Sequence, residues 1–365
     1  MNHDQGVVKE QGKAIHRIEI QNRKYLGNKY RLLGFLKNAI TQRVPLIGSF
    51  GDLFCGTGVV SFELGKEAES LVANDMLYSG YVVCQAFFGQ QSRDLDLNKI
   101  ESLLLELKEL APSRGYFFQT FGGNYFTPEN AAQIDSTREA IALWEKLGRI
   151  TQSEKWQLLT SLIYAVDKAA NIVGQYDAYM KNMGAPVYSQ EGHHLVDVNV
   201  YRPLQLGLPC SRPHGDARIL QQDANRVISE HRFHVLYLDP PYNNRQYIDL
   251  YHVLENLAIW HKPEVFGKTR KFERRHLKSD FSRKKRAAKA LANLISKARA
   301  EHIFLSYNNE GMLKENEIQG ILSTRGKVEK IEEDYQVFGK GAGQSRRRMV
   351  KEQLYYLKPL KSPQK

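Results

Sequence analysis

Between residues 46 and 75 a strand, a glycine turn, a helix, a second strand and an acid follow in that order. No other stretch constrains the fold as much. The run Leu46 to Phe54 reads as a buried strand that breaks into Asp52-Leu53-Phe54-Cys55-Gly56-Thr57-Gly58. Two glycines at this spacing permit a tight strand-to-helix turn and a close approach of backbone to ligand. Val59 to Lys66 reads as a helix, and Ser70 to Asn74 as the next strand, ended by Asp75. An acid about 20 residues past a glycine turn is placed to accept hydrogen bonds from a ribose, although Asp75 also reads as a helix N-cap. The pattern points to an adenosine-containing cofactor.

A second strand ends as abruptly. The apolar run Phe233 to Leu238 meets Asp239-Pro240-Pro241-Tyr242. Prolines cannot continue a ladder, so the chain leaves the sheet there. Asp239 therefore stands at the carboxyl end of a strand, where open α/β sheets place their ligands. Taken alone, the stretch also reads as an ordinary strand-to-proline turn with an incidental acid. Asp223 precedes this strand and a long apolar helix, Gln246 to Trp260, follows it. His302 to Tyr307 reads as another strand, ending in Asn308-Asn309-Glu310-Gly311. Lys327 to Ile331 and Val350 to Leu357 read as the last strands, with a Gly- and Arg-rich loop, 339–348, between them. Strands alternating with helices indicate an α/β sheet.

The remainder is less regular. Residues 1–19 read as a loose arm. Gly27-Asn28-Lys29 forms a turn ahead of a helix spaced by Leu32, Leu33, Leu36 and Ile40, able to present amides and Lys29 to an anion. From about 95 to 220 the pattern becomes helices (Ile100 to Leu110, Glu139 to Leu147, Trp156 to Ala170), an aromatic stretch (Tyr116 to Phe126) and loops. Nothing in it demands a parallel sheet, so it reads as an inserted or flanking recognition region. His193-His194 lacks further ligands at useful spacing and reads as surface, so no metal site is expected.

Charge narrows the choice of partner. The formal net charge is +12. Between Lys262 and Arg299 stand 14 Lys and Arg against only Glu264, Glu273 and Asp280, nearly the whole imbalance. A concentrated positive field attracts nucleic acid through counterion release. Part of it is simply a solvated helix face, because Ala287, Leu291, Leu294, Ile295 and Ala298 line one side of an alanine-rich helix. Three scattered cysteines, Cys55, Cys84 and Cys210, suit a reducing cytosol and form neither a disulfide framework nor a zinc pattern. The first residues lack the pattern of a secretory signal, and no apolar run is long enough to span a membrane.

Tyr25-Leu26-Gly27-Asn28-Lys29, then Phe54-Cys55-Gly56-Thr57-Gly58, a long gap, and Asp239-Pro240-Pro241-Tyr242 together resemble the Dam-like DNA adenine-N6 methyltransferases of restriction-modification systems. The run from Asp239 to Glu255, Asn171 to Lys181 upstream and Leu305 to Gly311 downstream extend the likeness over roughly residues 20 to 357. The resemblance implies a Rossmann-like methyltransferase sheet with helices on both faces, plus a mostly helical and loop target-recognition region. It implies a catalytic domain from 20–94 and 221–358, target recognition by 95–220 and DNA contacts from 262–300. It also implies S-adenosylmethionine as cofactor and double-stranded DNA as partner. Tyr25, Gly27 and Lys29 would border the methionine end of the cofactor. Asp52 and the Phe54–Gly58 turn would cradle it, Asp75 would hold the ribose, and Asp223 would lie near the adenine. Asp239, Pro240, Pro241 and Tyr242 would receive the target base. A cognate restriction endonuclease acting on the same site and a cytoplasmic location belong to the same expectation. Tyr25 departs from the tryptophan that the family often places there.

Three alternatives stay open on residues alone. Cytosine-N4 or RNA amine methylation uses the same four-residue motif. A non-catalytic basic nucleic-acid-binding protein of this fold would need none of these acids. A cytosine-C5 enzyme would need a nucleophile such as Cys210 with Glu255-Asn256, but Pro209-Cys210 follows no convincing strand.

Overall fold

The computed structural model describes residues 15–23, 25–180, 198–341 and 344–360. Its central sheet has seven strands: β1 (Ile47–Asp52), β2 (Ala68–Asn74), β3 (Ala217–Leu220), β4 (Phe233–Leu238), β5 (Ala300–Asn308), β6 (Gly326–Gly341) and β7 (Gln344–Pro359). They lie in the order β3-β2-β1-β4-β5-β7-β6. The first five in that row are parallel, and β7 runs antiparallel to both β5 and β6.

The chain builds outward from β1 to β3 on one side, then crosses back and builds outward from β4 on the other. That reversal opens a crevice between the carboxyl ends of β1 and β4. The register sets Asp52 of β1 beside Tyr237 of β4, two residues before Asp239. Both strands can sit at the centre because Phe50, Val235, Leu236, Tyr237 and Leu238 are all buried, so neither face needs water.

Helices cover both faces. On one lie α1 (Leu33–Arg43), α2 (Val59–Leu64), α3 (Tyr78–Phe88), α4 (Leu97–Lys108), α5 (Tyr116–Phe121), α6 (Pro128–Lys146), α7 (Gln152–Ala169) and α9 (Tyr247–Ile259). On the other, α8 (Ala224–Glu230), α10 (Ala287–Lys297) and α11 (Glu315–Ser323) pack against Leu236, Leu238, Ile303 and Leu305. The α10 helix buries Ala287, Leu291, Leu294 and Ile295, the face its spacing predicts. No helix among the described residues is long and apolar enough to cross a membrane.

Several expectations need correction. Residues 217–220, inside the stretch that reads as lacking a strand, form the edge strand β3. Four residues are too few to show a period of two. Helices α4 to α7 contribute Leu104, Phe117, Ile134 and Leu162 to the same core as β1 and β4. The Gly- and Arg-rich stretch 339–348 is largely ladder, with Gly339 facing Arg346 and Gly341 facing Gln344. Backbone pairing there needs no apolar alternation. Within the described end of the arm, Ile15 and Ile18 are buried, and Arg17–Ile18 pairs with Leu208–Pro209. His193-His194 lies outside the described residues.

Candidate active site

The glycine turn takes its shape from its own backbone. Gly56 and Gly58 adopt φ of 54° and 78°, a region that side chains disfavour. Gly58 caps α2, and the Gly56 amide donates to Asp75 Oδ2 at 2.9 Å. The other Asp75 oxygen accepts the Leu77 amide at 2.7 Å. Asp75 thus braces the turn to the end of β2, and it is not an N-cap: α3 is capped by Glu255, which accepts the Tyr78 and Ser79 amides at 2.8 and 2.9 Å. Asp52 accepts the Ser61 hydroxyl at 2.7 Å and the Phe54 amide at 3.3 Å.

The Tyr25–Lys29 segment lies across this turn. Tyr25 stacks on Tyr251 with ring centroids 4.6 Å apart, and the Leu26 amide donates to the Tyr251 hydroxyl at 2.6 Å. Tyr251 interrupts the helical geometry of α9, turning its ring toward that segment. Gly27, at φ 77°, faces Tyr242: a Cβ there would stand 3.1 Å from the Tyr242 hydroxyl.

Lys29 points inward. Its ammonium lies 3.3 Å from Asp239 Oδ1 and 2.8 Å from Glu352 Oε1, and 5.6 Å from the centre of the Tyr242 ring. Burial alone would lower its pKa, but Asp239 and Glu352 hold it well above the ordinary lysine value. Burial pushes the Asp239 carboxyl up to about 7 even against the pull of Lys29. Burial likewise raises Asp52 and Asp75 to about 7, against the hydrogen bonds each accepts.

Lys29, Asp52, Asp75 and Asp239 open onto one cavity of about 400 Å³. Of the residues singled out in the sequence, Tyr25, Gly27, Lys29, Asp52, Phe54, Gly56, Asp75, Asp223, Asp239 and Pro241 line it. Gly58 lies behind the turn, where a Cβ would meet Cys84 Sγ at 2.8 Å. Pro240 is buried, and Tyr242 stands at the side, edge-on to Tyr307 at 6.1 Å. Asp223 is the N-cap of α8, accepting the Asn225 amide at 2.8 Å.

The basic segment supplies the facing wall through His276, Lys278, Arg283 and Arg286. Phe281 packs edge-on against Phe54, and Gln246 exchanges two hydrogen bonds with the Ser279 backbone, so the loop is fastened to both motifs.

Sequence reasoning missed Glu352. A signal existed: it occupies the phase of Val350 and Leu354, so an acid stands where the strand alternation calls for an apolar residue.

A carboxylate with a raised pKa destabilises the folded state as it ionises. Asp52 is 1% exposed and ionises near 7 when folded, against about 3.9 in an unfolded chain. Between those values the native state keeps a proton that the unfolded chain has lost, so the contribution of Asp52 falls as pH rises through 7. Asp52→Asn, which preserves shape without ionising, should therefore gain stability relative to wild type by about 2–3 kcal/mol between pH 5 and pH 8. Urea unfolding of both proteins at the two pH values measures this; a pH-independent difference contradicts it.

The glycine turn after β1 and the Asp239 carboxylate after β4 stand at the ends of adjacent parallel strands and open onto one cavity. The family model of the D12 class N6 adenine-specific DNA methyltransferases matches residues 25–321, which contain both. The chain belongs to this family.

This D12-class chain is similar to proteins described as type II methyltransferases and modification methylases. It is 30% identical to the type II methyltransferase M.NlaIII of Neisseria lactamica, covering 91% of this chain and 97% of that one. It is 33% identical to the type II methyltransferase M.FokI of Planomicrobium okeanokoites, over 86% of this chain. It is 31% identical to the modification methylase StsI of Streptococcus sanguinis, over 82% of this chain. The chain spans about half the length of the last two, 48% and 46%.

Proposed function

We propose that this D12-class protein transfers a methyl group from S-adenosylmethionine to N6 of an adenine turned out of a short duplex sequence, as the modification enzyme of a restriction-modification system. One observation carries this reading: the Asp239 carboxylate faces the Gly56–Gly58 turn across a single cavity at the reversal point of the sheet.

The cavity suits a cationic, adenosine-containing cofactor. A bound cation would favour the ionised forms of the Asp52, Asp75 and Asp239 carboxyls that line it, and the absence of a side chain at Gly56 lets backbone approach the ligand. When bound, S-adenosylmethionine supplies a methyl group on a sulfonium. Tyr25, Gly27 and the Phe54–Gly58 turn hold the methionine portion. Asp75 has lone pairs left to accept ribose hydroxyls beyond the two amides it already binds, and Asp223 closes the adenine end.

Adenine N6 is a poor nucleophile because its lone pair is delocalised into the ring. The Asp239 carboxylate and the Pro240 carbonyl accept its two hydrogens and so favour a pyramidal nitrogen with a directed lone pair. The Asp239 carboxylate would stabilise positive charge developing on the accepting nitrogen, in a dry site. Asp239 need not be a strong base, because the methylated amine sheds its proton readily. Tyr242 offers the extruded base a stacking face, since N6 cannot be reached inside the duplex.

The basic segment 262–300 borders this cavity and supplies phosphate contacts, and 95–220 supplies target recognition. The Arg245–Asp177 ion pair ties the recognition stretch to the loop after Tyr242. Reversing Lys284, Lys285 and Lys289, all exposed, to glutamate should weaken duplex binding at least tenfold and lower the slope of log affinity against log salt by roughly 2–3. A titration at several salt concentrations measures both; unchanged affinity and slope would remove the segment from the interface.

The direct test of activity is incubation with methyl-labelled S-adenosylmethionine and duplex DNA, followed by digestion to nucleosides. Label in N6-methyl-2′-deoxyadenosine is expected. Label in N4-methyl-2′-deoxycytidine, or none in DNA, overturns the reading.

A further inference from the structure

Glu352 is fully buried on β7, more than a hundred residues from Asp239, and the clamp formed by the Asp239 carboxylate and the Pro240 carbonyl makes no use of it. Its Oε1 accepts the Lys29 ammonium at 2.8 Å and the Ser306 hydroxyl of β5 at 2.5 Å. Its Oε2 meets no partner among the described residues. A buried carboxylate is costly to keep, and one with an idle oxygen costs more.

The geometry around Lys29 suggests what it does. Of the two carboxylates, Glu352 has the shorter contact, at 2.8 Å, and Asp239 lies at 3.3 Å. Asp239 Oδ1 is ion-paired with the Lys29 ammonium at 3.3 Å but accepts no well-aligned hydrogen bond from a described residue, so Lys29 engages it less closely than it engages Glu352. Charge gives a second reason. An ammonium beside the clamp opposes positive charge developing on the amine nitrogen. With Asp239 alone the pair sums to zero. With Glu352 the trio sums to −1, and the field at the amine becomes favourable.

We propose that Glu352, acting through Lys29, is a positioning residue for Asp239: it neutralises and holds aside the Lys29 ammonium, so that the Asp239 carboxylate stays open to an exocyclic amine. This rests on the amine-methylating reading above. The groups facing Asp239 are Lys29 from the turn before α1, Asp52 from β1, Tyr237 from β4, Tyr242 and Tyr247 after it, Tyr335 from β6 and Glu352 from β7. Glu352 and Asp52 are the carboxylates among them. Removing the Glu352 charge therefore eases ionisation of Asp239 while it weakens the field at the amine.

The test is Glu352→Gln, which keeps shape and hydrogen-bonding capacity and removes the charge. Expected are a kcat about tenfold lower or less, KM values for S-adenosylmethionine and duplex within about twofold of wild type, and an acidic limb of the kcat/KM profile moved to lower pH. Glu352→Asp should recover part of the rate and return the limb toward wild type. A wild-type kcat overturns the proposal, as does a lowered kcat with an unmoved limb, which marks a merely structural role. Should Glu352→Gln fail to fold, Ser306→Ala decides: it leaves every charge in place and loosens Glu352, so kcat should fall with KM unchanged, and a wild-type kcat overturns the proposal. An inactive wild-type protein would sink the functional reading itself. An active wild type with an inactive Asp239→Ala and an undisturbed Glu352→Gln would sink only the role of Glu352.

Discussion

Asp239→Ala is expected to lower methyl transfer by about 10²–10³-fold, roughly 3–4 kcal/mol, while the protein still folds and binds both S-adenosylmethionine and duplex. The loss follows from the position of the carboxylate. Strand β4 ends at Leu238, and the prolines prevent the ladder from continuing, so Asp239 is delivered to the cavity on a rigid support. Folding should survive because the substitution removes a group that burial already disfavours and leaves Lys29 paired with Glu352. Single-turnover rates with preformed complex separate chemistry from binding. A wild-type single-turnover rate would remove Asp239 from the reaction, and lost cofactor binding with an intact rate at saturation would make it a binding group.

Gly56→Ala is expected to weaken S-adenosylmethionine by roughly 2 kcal/mol, about thirtyfold, from the cost of a side chain at positive φ together with a forced contact. The φ of 54° is strained for alanine, and the new Cβ would stand 2.9 Å from the Tyr25 ring, which is itself stacked on Tyr251. Relief would have to come from moving Tyr25 or tilting the turn away from Asp75, and either deforms the cradle. Calorimetric titration with S-adenosylmethionine measures the effect. Unchanged affinity would mean that the turn is not the cofactor cradle.

The centre of this fold was readable from the sequence because its elements announce themselves chemically. Phe233 to Leu238 is continuously apolar and then broken by prolines, and β1 breaks at glycines; each break lies at the crevice. The face of α10 was readable for a similar reason, since four buried residues repeat at helical spacing. The edges were not. Strand β3 is four residues long, and the part of the outer hairpin between Ile331 and Val350 is rich in charge, so neither carries a hydrophobic period. Isoleucines 15 and 18 are too few to reveal that the chain docks there.

Within the site, the motif residues were legible as types but their partners were not. That Lys29 is held between Asp239 and Glu352 depends on β7, which brings Glu352 in from the far end of the chain. Asp75 and Asp223 do carry backbone amides, as acids at the ends of strands and starts of helices often do, and both still face the cavity. The cap of α3 came from Glu255, a long-range contact that no local spacing encodes.

Methylation of adenine N6 at one short duplex sequence is the activity expected of this site. Mapping modified bases across genomic DNA from cells expressing the wild-type protein, beside cells expressing Asp239→Ala, tests it most directly. N6-methyladenine confined to a single short motif in the wild-type sample and absent from the variant is the predicted result. Modified cytosine at that motif, or identical maps from the two proteins, would contradict it.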